Sequence, residues 1–303
     1  MPQNPRLMKA VYAQRAADEF LHNPDLVRVV RVKRPAYPAS AFGPRLPPQR
    51  VRGKTFNLVT PFAGKPFLAQ YLRGLDRLPL AQAHGVFYDN SNSPQFRARL
   101  EREVLPRFDS YTLIEDRNPQ FTAERTTDYA RISYRCHRIY QYLYETAIAG
   151  GLPLCLNIED DTEVPAGTWE RLNAALALDP KIATAVGVQC SRRMADETRC
   201  LPMAWNFART EIVGTEEPAE VVDQRLIAPK SMGIETIGSA HMACWLTRTP
   251  VIQKLGMAYG WDGVNAQDMC WGYALNTSGY RMVIDWGLRT RHYYKEGRKT
   301  LFV

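Results

Sequence analysis

The stretch LPLCLNIEDDTEVP, residues 152–165, decides the fold. From Leu152 to Ile158 it is apolar and has the length of a buried strand. It then breaks abruptly into Glu159, Asp160 and Asp161, with Glu163 and Pro165 close behind. In an extended chain alternate side chains face the same side, so Glu159 and Asp161 can point together while Asp160 points away. Three adjacent carboxylates repel one another unless a cation sits among them. A hard divalent ion, Mg2+ or Mn2+, suits such an oxygen-rich set. The other reading is the N-terminus of a helix opening at Ala166, an end of the dipole that acids favour.

Outward from this stretch, strands and helices alternate. Upstream, FNLVTPF (56–62) reads as a strand and PFLAQYLRGLDRL (66–78) as a helix with Phe67, Leu68, Tyr71, Leu72 and Leu75 on one face. HGVFYDNSNS (84–93) is a strand running into a polar loop, PQFRARLEREVLPRF (94–108) a helix and YTLIED (111–116) a strand. Residues 126–150 form a long helix, with Gly150 and Gly151 as its stop signal. Downstream, AGTWERLNAALAL (166–178) reads as a helix and IATAVGV (182–188) as a strand. The polar stretch 191–236 predicts an irregular excursion over the site. HMACWLT (241–247) is a strand, a helix starts at Pro250, a loop spans 259–268, a helix runs to Asn276, and RMVIDWGLRTRHY (281–293) predicts one closing strand. This order predicts an α/β fold with a mostly parallel central sheet flanked by helices. Ligands bind such sheets outside the carboxyl ends of the strands. That rule singles out Thr60, Asp89, Asn90, Glu115, Asp116 and the acids at 159–161.

Composition narrows the classes. The chain has 303 residues, 45% hydrophobic and 23% charged, which excludes wholesale disorder and allows a sizeable core. No apolar run approaches the ~18 residues of a membrane-spanning helix. The first twenty residues have no signal-peptide core, so a cytoplasmic protein with reduced thiols is expected. Six cysteines show neither a C-x-x-C pair nor zinc-ligand spacing. The net charge of +8 is segregated. Residues 1–54 hold eleven Lys/Arg, three Asp/Glu and eight of the 21 prolines, while the remainder is electrically balanced. Two domains follow: a basic, Pro-rich N-terminal extension (1–54) and a globular domain (55–303). The extension either attracts phosphate-rich partners or packs over the body as a solvated arm.

The ordered motifs resemble the glycosyltransferases of the GT-A (Rossmann-like) fold, closest in layout to the family 2-like enzymes, over residues 55–294. LVTPF (58–62) matches a Thr-Pro turn ending the first strand, and YDNSNS (88–93) an acidic residue followed by Asn/Ser/Gly ending the second. Glu159-Asp160-Asp161 stands at the Asp-x-Asp metal motif, with Glu in first place. IGSAHMACWLTR (237–248) resembles the strand lining the acceptor site. WDGVNAQDMCWGYALNTSGYRM (261–282) resembles the acidic acceptor motif, with Gln267-Asp268 where Glu-Asp is usual. DWGLRTRHYY (285–294) resembles the closing strand, whose His is a further metal ligand; here that is His292.

The resemblance implies roles. Asp161, with Glu159 or Asp160 and with His292, would hold Mn2+ or Mg2+. Thr60, Pro61, Asp89 and Asn90 would position the nucleoside of a nucleotide-sugar donor, with Asp89 able to accept from a uracil ring N–H and so favouring UDP. Asp160, Arg125, Lys295 and Arg298 would serve the donor phosphates, with a plain surface role as the other reading of Lys295 and Arg298. Asp268 would act as general base on the acceptor hydroxyl in an inverting reaction, or position the acceptor in a retaining one; the competing reading is a helix cap. Gly238, Trp261 and Asp262 would line the acceptor site. His22 and His137 read as surface or helix-face residues, and His241 as a packed strand residue. The acceptor is either a hydroxymethylated base in phage-type DNA, engaged by the basic extension and flipped out, or a polysaccharide, glycolipid or protein. Three rivals fit less well. A nucleotidyltransferase would carry a Gly-rich phosphate loop that TPFAGKP (60–66) is not. A glycoside hydrolase needs two opposed carboxylates. A non-catalytic nucleic-acid-binding module leaves the acid cluster unexplained.

Overall fold

The computed structural model describes residues 51, 53–91, 93–115, 129–190, 202–211, 220–226, 230–256, 267–296 and 299–302. The centre is an eight-stranded sheet built from β1 (Phe56–Phe62), β2 (Ala83–Asp89), β3 (Tyr111–Glu115), β4 (Leu154–Ile158), β6 (Ile182–Val188), β9 (Ile234–Ile237), β11 (Cys244–Arg248) and β12 (Arg281–Arg289). The spatial order is β3-β2-β1-β4-β11-β6-β12-β9. β3, β2, β1 and β4 are mutually parallel, and β12 is parallel to β6. β11 runs antiparallel to both β4 and β6, and β9 runs antiparallel to β12.

Alternation along the strands sorts two cores onto the two faces. Leu58 belongs with Leu68, Tyr71 and Leu75 of helix α1 (Leu68–Leu75), Phe96 of α2 (Pro94–Arg99) and Leu172 and Leu176 of α4 (Thr168–Ala177). Val59, one residue on, belongs with Ile139, Leu143 and Ala147 of α3 (Tyr129–Ala149), Ile252 of α5 (Thr249–Leu255) and Trp271 of α6 (Gln267–Thr277). Each large apolar side chain taken fully from water contributes about 1.5–3 kcal/mol, and Leu58, Phe87, Leu156, Trp245 and Trp271 have no exposed surface at all. No described helix is long and apolar enough to cross a membrane.

Several boundaries differ from the sequence reading. The helix expected over 94–108 is α-helical only to Arg99, then a π turn (Leu100–Val104) and a 3-10 turn (Leu105–Arg107). Pro106 cannot donate the next helical hydrogen bond, which accounts for the change of pitch. The stretch 191–236 is not irregular throughout. It contains β7 (Ala204–Glu211) and β8 (Glu220–Leu226), paired as an antiparallel hairpin that β10 (Ser239–Ala240) extends, and most of β9. Charges at every second or third position dilute the apolar alternation of AWNFARTE and EVVDQRL, so the strand signal is weak. The single closing strand is two. Thr290 breaks it, donating its N–H and its hydroxyl to Val188 O at 3.0 Å each, and β13 (Arg291–Glu296) departs to pair with β5 (Thr162–Glu163) and β14 (Lys299–Phe302). His137 lies on helix α3 and is buried, so of its two readings the helix face holds and the surface does not. The thiols are not all reduced: Cys190 is disulfide-bonded, with its partner outside the described residues.

Candidate active site

β1, β2 and β4 run parallel, so their carboxyl ends meet along one edge. At the end of β4 the backbone turns sharply. Glu159 N–H donates to Ala243 O at 3.2 Å, and Thr162 N–H returns to Glu159 O at 3.0 Å. This turn displays three consecutive acids in different directions. Asp161 is fully buried and Asp160 nearly so, while Glu159 is half-buried.

Each acid has its own surroundings. Asp160 Oδ2 accepts from Ala63 N–H at 2.9 Å, just past β1. Asp161 Oδ2 lies 2.8 Å from Lys65 Nζ and 3.2 Å from His292 Nε2. Glu159 Oε1 accepts from the Tyr140 hydroxyl at 3.2 Å, and its Oε2 is 4.0 Å from His241 Nδ1. His292 arrives because β13 pairs with β5 directly after the acids, opposite Thr162, with Tyr293 N–H donating to Asp161 O at 2.8 Å. Glu159, Asp161 and His292 offer one ligand atom each, all within 4.8 Å of one another. Glu159 and Asp161 come together through the turn after β4 rather than through strand alternation, since β4 ends at Ile158, and Asp160 does not point away from them but shares Lys65 with Asp161. Two carboxylates and one imidazole are an oxygen-and-nitrogen set that fits Mn2+ well and Mg2+ less closely.

The electrostatics fit a cation. Burial raises the Asp160 carboxyl to about 6, with Lys65 pulling it down and Asp161 pushing it up. Burial also raises Asp268, with His241 and the Met269 N–H drawing it back and Glu159 adding to the rise. At Asp160 the desolvation of a buried carboxyl is thus opposed by the neighbouring Lys65 ammonium.

The remaining residues fall around this corner. Asp89, at the end of β2, is buried; its Oδ1 accepts from Ser91 N–H at 3.0 Å and its Oδ2 is 3.4 Å from Arg97 Nη1. Arg97 also pairs with Glu115 at the end of β3, so one guanidinium ties two strand-end acids together. Asn90 is buried, with its N–H on Phe62 O at 3.1 Å. Pro61 is half-buried, whereas Thr60 is fully buried with its hydroxyl 2.8 Å from the Tyr71 hydroxyl, beneath the surface of the site. Asp268 is the second residue of α6 rather than its cap. Its carbonyl accepts from Ser239 Oγ at 2.7 Å, and its Oδ1 accepts from Met269 N–H at 2.8 Å. Gly238 lies directly under this helix: a Cβ at Gly272 would meet Gly238 O at only 2.3 Å. Lys295 lies in β13. Arg125, Trp261, Asp262 and Arg298, together with nearly all of the basic extension, lie outside the described residues.

Two residues were not legible as site residues. Lys65 is a lone lysine in a turn, with no motif around it. His241, expected to be packed in a strand, instead precedes β11, half-buried, with Nδ1 2.6 Å from Gln189 Oε1 and its ring 5.9 Å from that of His292. The available signal was topological: β11 is antiparallel, so the residues before it lie at the carboxyl end of β4.

No protein-family model matches the sequence, and no curated protein matches it. Solved structures do match the fold. GalNAc-T7 with UDP, GalNAc and Mn2+ superposes with a TM-score of 0.55 at 13% identity, over 81% of this chain and 45% of that one. A mannosyltransferase from Pyrobaculum calidifontis with GDP-Man and Mn2+ gives 0.46 at 15% identity, over 91% and 67%. S. aureus TarS with UDP-GlcNAc gives 0.47 at 12%, over 81% and 59%. This chain thus spans less than half the length of the GalNAc-T7 chain. The fold of this chain is that of the GT-A-type glycosyltransferases.

Proposed function

We propose that this chain is a divalent-metal-dependent glycosyltransferase that moves a sugar from a nucleoside diphosphate donor, a UDP-sugar, to an acceptor hydroxyl. The observation that carries the reading is the convergence of Glu159, Asp161 and His292 within 4.8 Å at the end of a central strand, in a GT-A-type fold. Mn2+ or Mg2+ held there would supply Lewis-acid stabilisation of the leaving diphosphate.

The chain's own residues do the rest. Pro61, Asp89 and Asn90 hold the nucleoside at the ends of β1 and β2, with Thr60 setting the strand from beneath. Asp160 faces the donor side through the Ala63 turn. Lys295, Arg298 and Arg125 bring positive charge to the phosphates. Asp268, kept from early ionisation by burial, takes the acceptor proton at its carboxylate. Gly238, Trp261 and Asp262 shape the acceptor side, and His241 bridges it to Glu159. A thermal-shift panel of nucleotide sugars with and without Mn2+ tests the reading. UDP-sugars should raise the melting temperature only with Mn2+; a flat response across the panel refutes it.

The charge of residues 1–54 favours one acceptor over others. A nucleic-acid acceptor, such as a hydroxymethylated base flipped from duplex DNA, would be gripped by eleven cationic side chains in that segment. Salt-dependent DNA binding by the full chain, lost on deletion of 1–54, is the expected result. Equal binding after deletion removes this acceptor and leaves a polysaccharide, glycolipid or protein.

A further inference from the structure

Lys65 occupies an unusual position. Its Nζ is 2.8 Å from Asp161 Oδ2 and 3.4 Å from Asp160 Oδ1. The lysine side chain is 32% exposed, whereas those of Asp160 and Asp161 are 3% and 0% exposed. The ammonium therefore lies on the solvent side of the two buried acids. It touches the same Asp161 oxygen that faces His292 at 3.2 Å. One cation already stands where the proposed metal set converges.

The loop that carries Lys65 is fixed at its backbone. Gly64 has φ +75, and a Cβ there would lie 2.8 Å from Ser91 Cβ, so the turn is pressed against the exit of β2. Ala63 N–H is anchored on Asp160 at 2.9 Å. From this anchored backbone extends a four-carbon stem bearing three rotatable donors. Two buried carboxylates side by side need a positive partner. A divalent ion on Asp161 would compete with the ammonium for one oxygen and repel it. An arriving diphosphate would then offer the displaced ammonium new acceptors on the solvent side.

From this geometry we infer that Lys65 is the resident counter-cation of Asp160 and Asp161, that it gives up its place to the divalent ion, and that it then binds the donor's diphosphate. The inference rests on the proposed metal site and adds a residue to its working cycle. It also makes metal and donor binding mutually supportive: the ion frees the lysine, and the diphosphate gives the lysine a new partner.

The test is calorimetric titration of the full chain with MnCl2, then with UDP at saturating Mn2+, for wild type, Lys65→Met and Lys65→Arg, with melting curves to establish folding. Mn2+ should bind Lys65→Met at least tenfold more tightly than wild type, because no competitor remains. UDP should bind that variant at least tenfold more weakly. Lys65→Arg, which keeps the charge, should stay near wild type in Mn2+ affinity. If Lys65→Met does not fold, Lys65→Gln replaces it in the same titrations. Equal or weaker Mn2+ binding by the neutral variant overturns the exchange while leaving the metal site standing. Tighter Mn2+ binding with unchanged UDP affinity overturns the diphosphate role. A wild-type chain that takes up no Mn2+ sinks the metal site and the exchange together.

Discussion

Asp161→Asn separates the metal site from the scaffold. Asp161 is fully buried, so truncation to Ala would open a cavity; Asn keeps the volume and removes the charge. The substitution weakens a charge-assisted contact with Lys65, worth about 1.5–3 kcal/mol. In compensation, Asp160 loses the neighbouring acid that helps push its carboxyl up to about 6. These opposed effects leave a net stability change within about 2 kcal/mol, which a domain of this size tolerates. The metal response is where the difference should be large. For wild type, a ligand at one hundred times its Kd stabilises by about 2.7 kcal/mol, which raises the melting temperature by about 5–10 °C. Asp161→Asn should show less than a fifth of that shift when Mn2+ and UDP are added together, while melting cooperatively on its own. Differential scanning fluorimetry with Mn2+, UDP, both and neither reads every arm. A variant that responds as wild type does would refute the assignment of Asp161 as a ligand.

Three further outcomes follow from the geometry. Asp268→Asn should lower kcat by about 10²–10⁴, the usual range for a general base, with UDP affinity preserved; steady-state transfer assays at wild-type rate would exclude it as the base. Gly272→Val should destabilise the fold by about 1–3 kcal/mol or more by overpacking, because a side chain there collides with Gly238 O and Ser239; an unchanged urea midpoint would contradict this packing. The Asp160 carboxyl is raised from 3.8 to about 6, so the metal-free native state holds a proton there that the unfolded chain has released. Stability from this group is therefore present at low pH and is lost as pH rises through this window, by up to about 3 kcal/mol. Asp160→Asn should flatten that slope in metal-free melts, and a slope identical to wild type would remove Asp160 as its source.

Much of the frame was legible because buried parallel strands are short apolar runs with sharp ends. FNLVTPF and IATAVGV coincide with β1 and β6 residue for residue. The acids at 159–161 stood out because charge placed directly after a buried strand is costly unless something uses it. His292 was legible only through the resemblance of its surrounding strand. Lys65 was not legible, since its partner acids Asp160 and Asp161 are far away in sequence and a single lysine has no periodicity to betray it. His241 and Gln189 depend on an antiparallel strand direction that local pattern does not encode. The hairpin β7–β8 was hidden by its charges, and the break at Thr290 by the residue itself, since a β-branched threonine is a common strand residue.

The reversed direction of β11 has a larger consequence. The chain leaves the sheet at Ile158 carrying the acids, and comes back to the same latitude at Cys244 carrying His241, because those two positions are register partners. One wall of the cleft is thus written by an outgoing segment and the facing wall by an incoming one, with the whole β7–β8 hairpin and its connections between them in sequence. That hairpin can change in sequence while the strand pairing that holds the outgoing acids beside the incoming segment stays as it is.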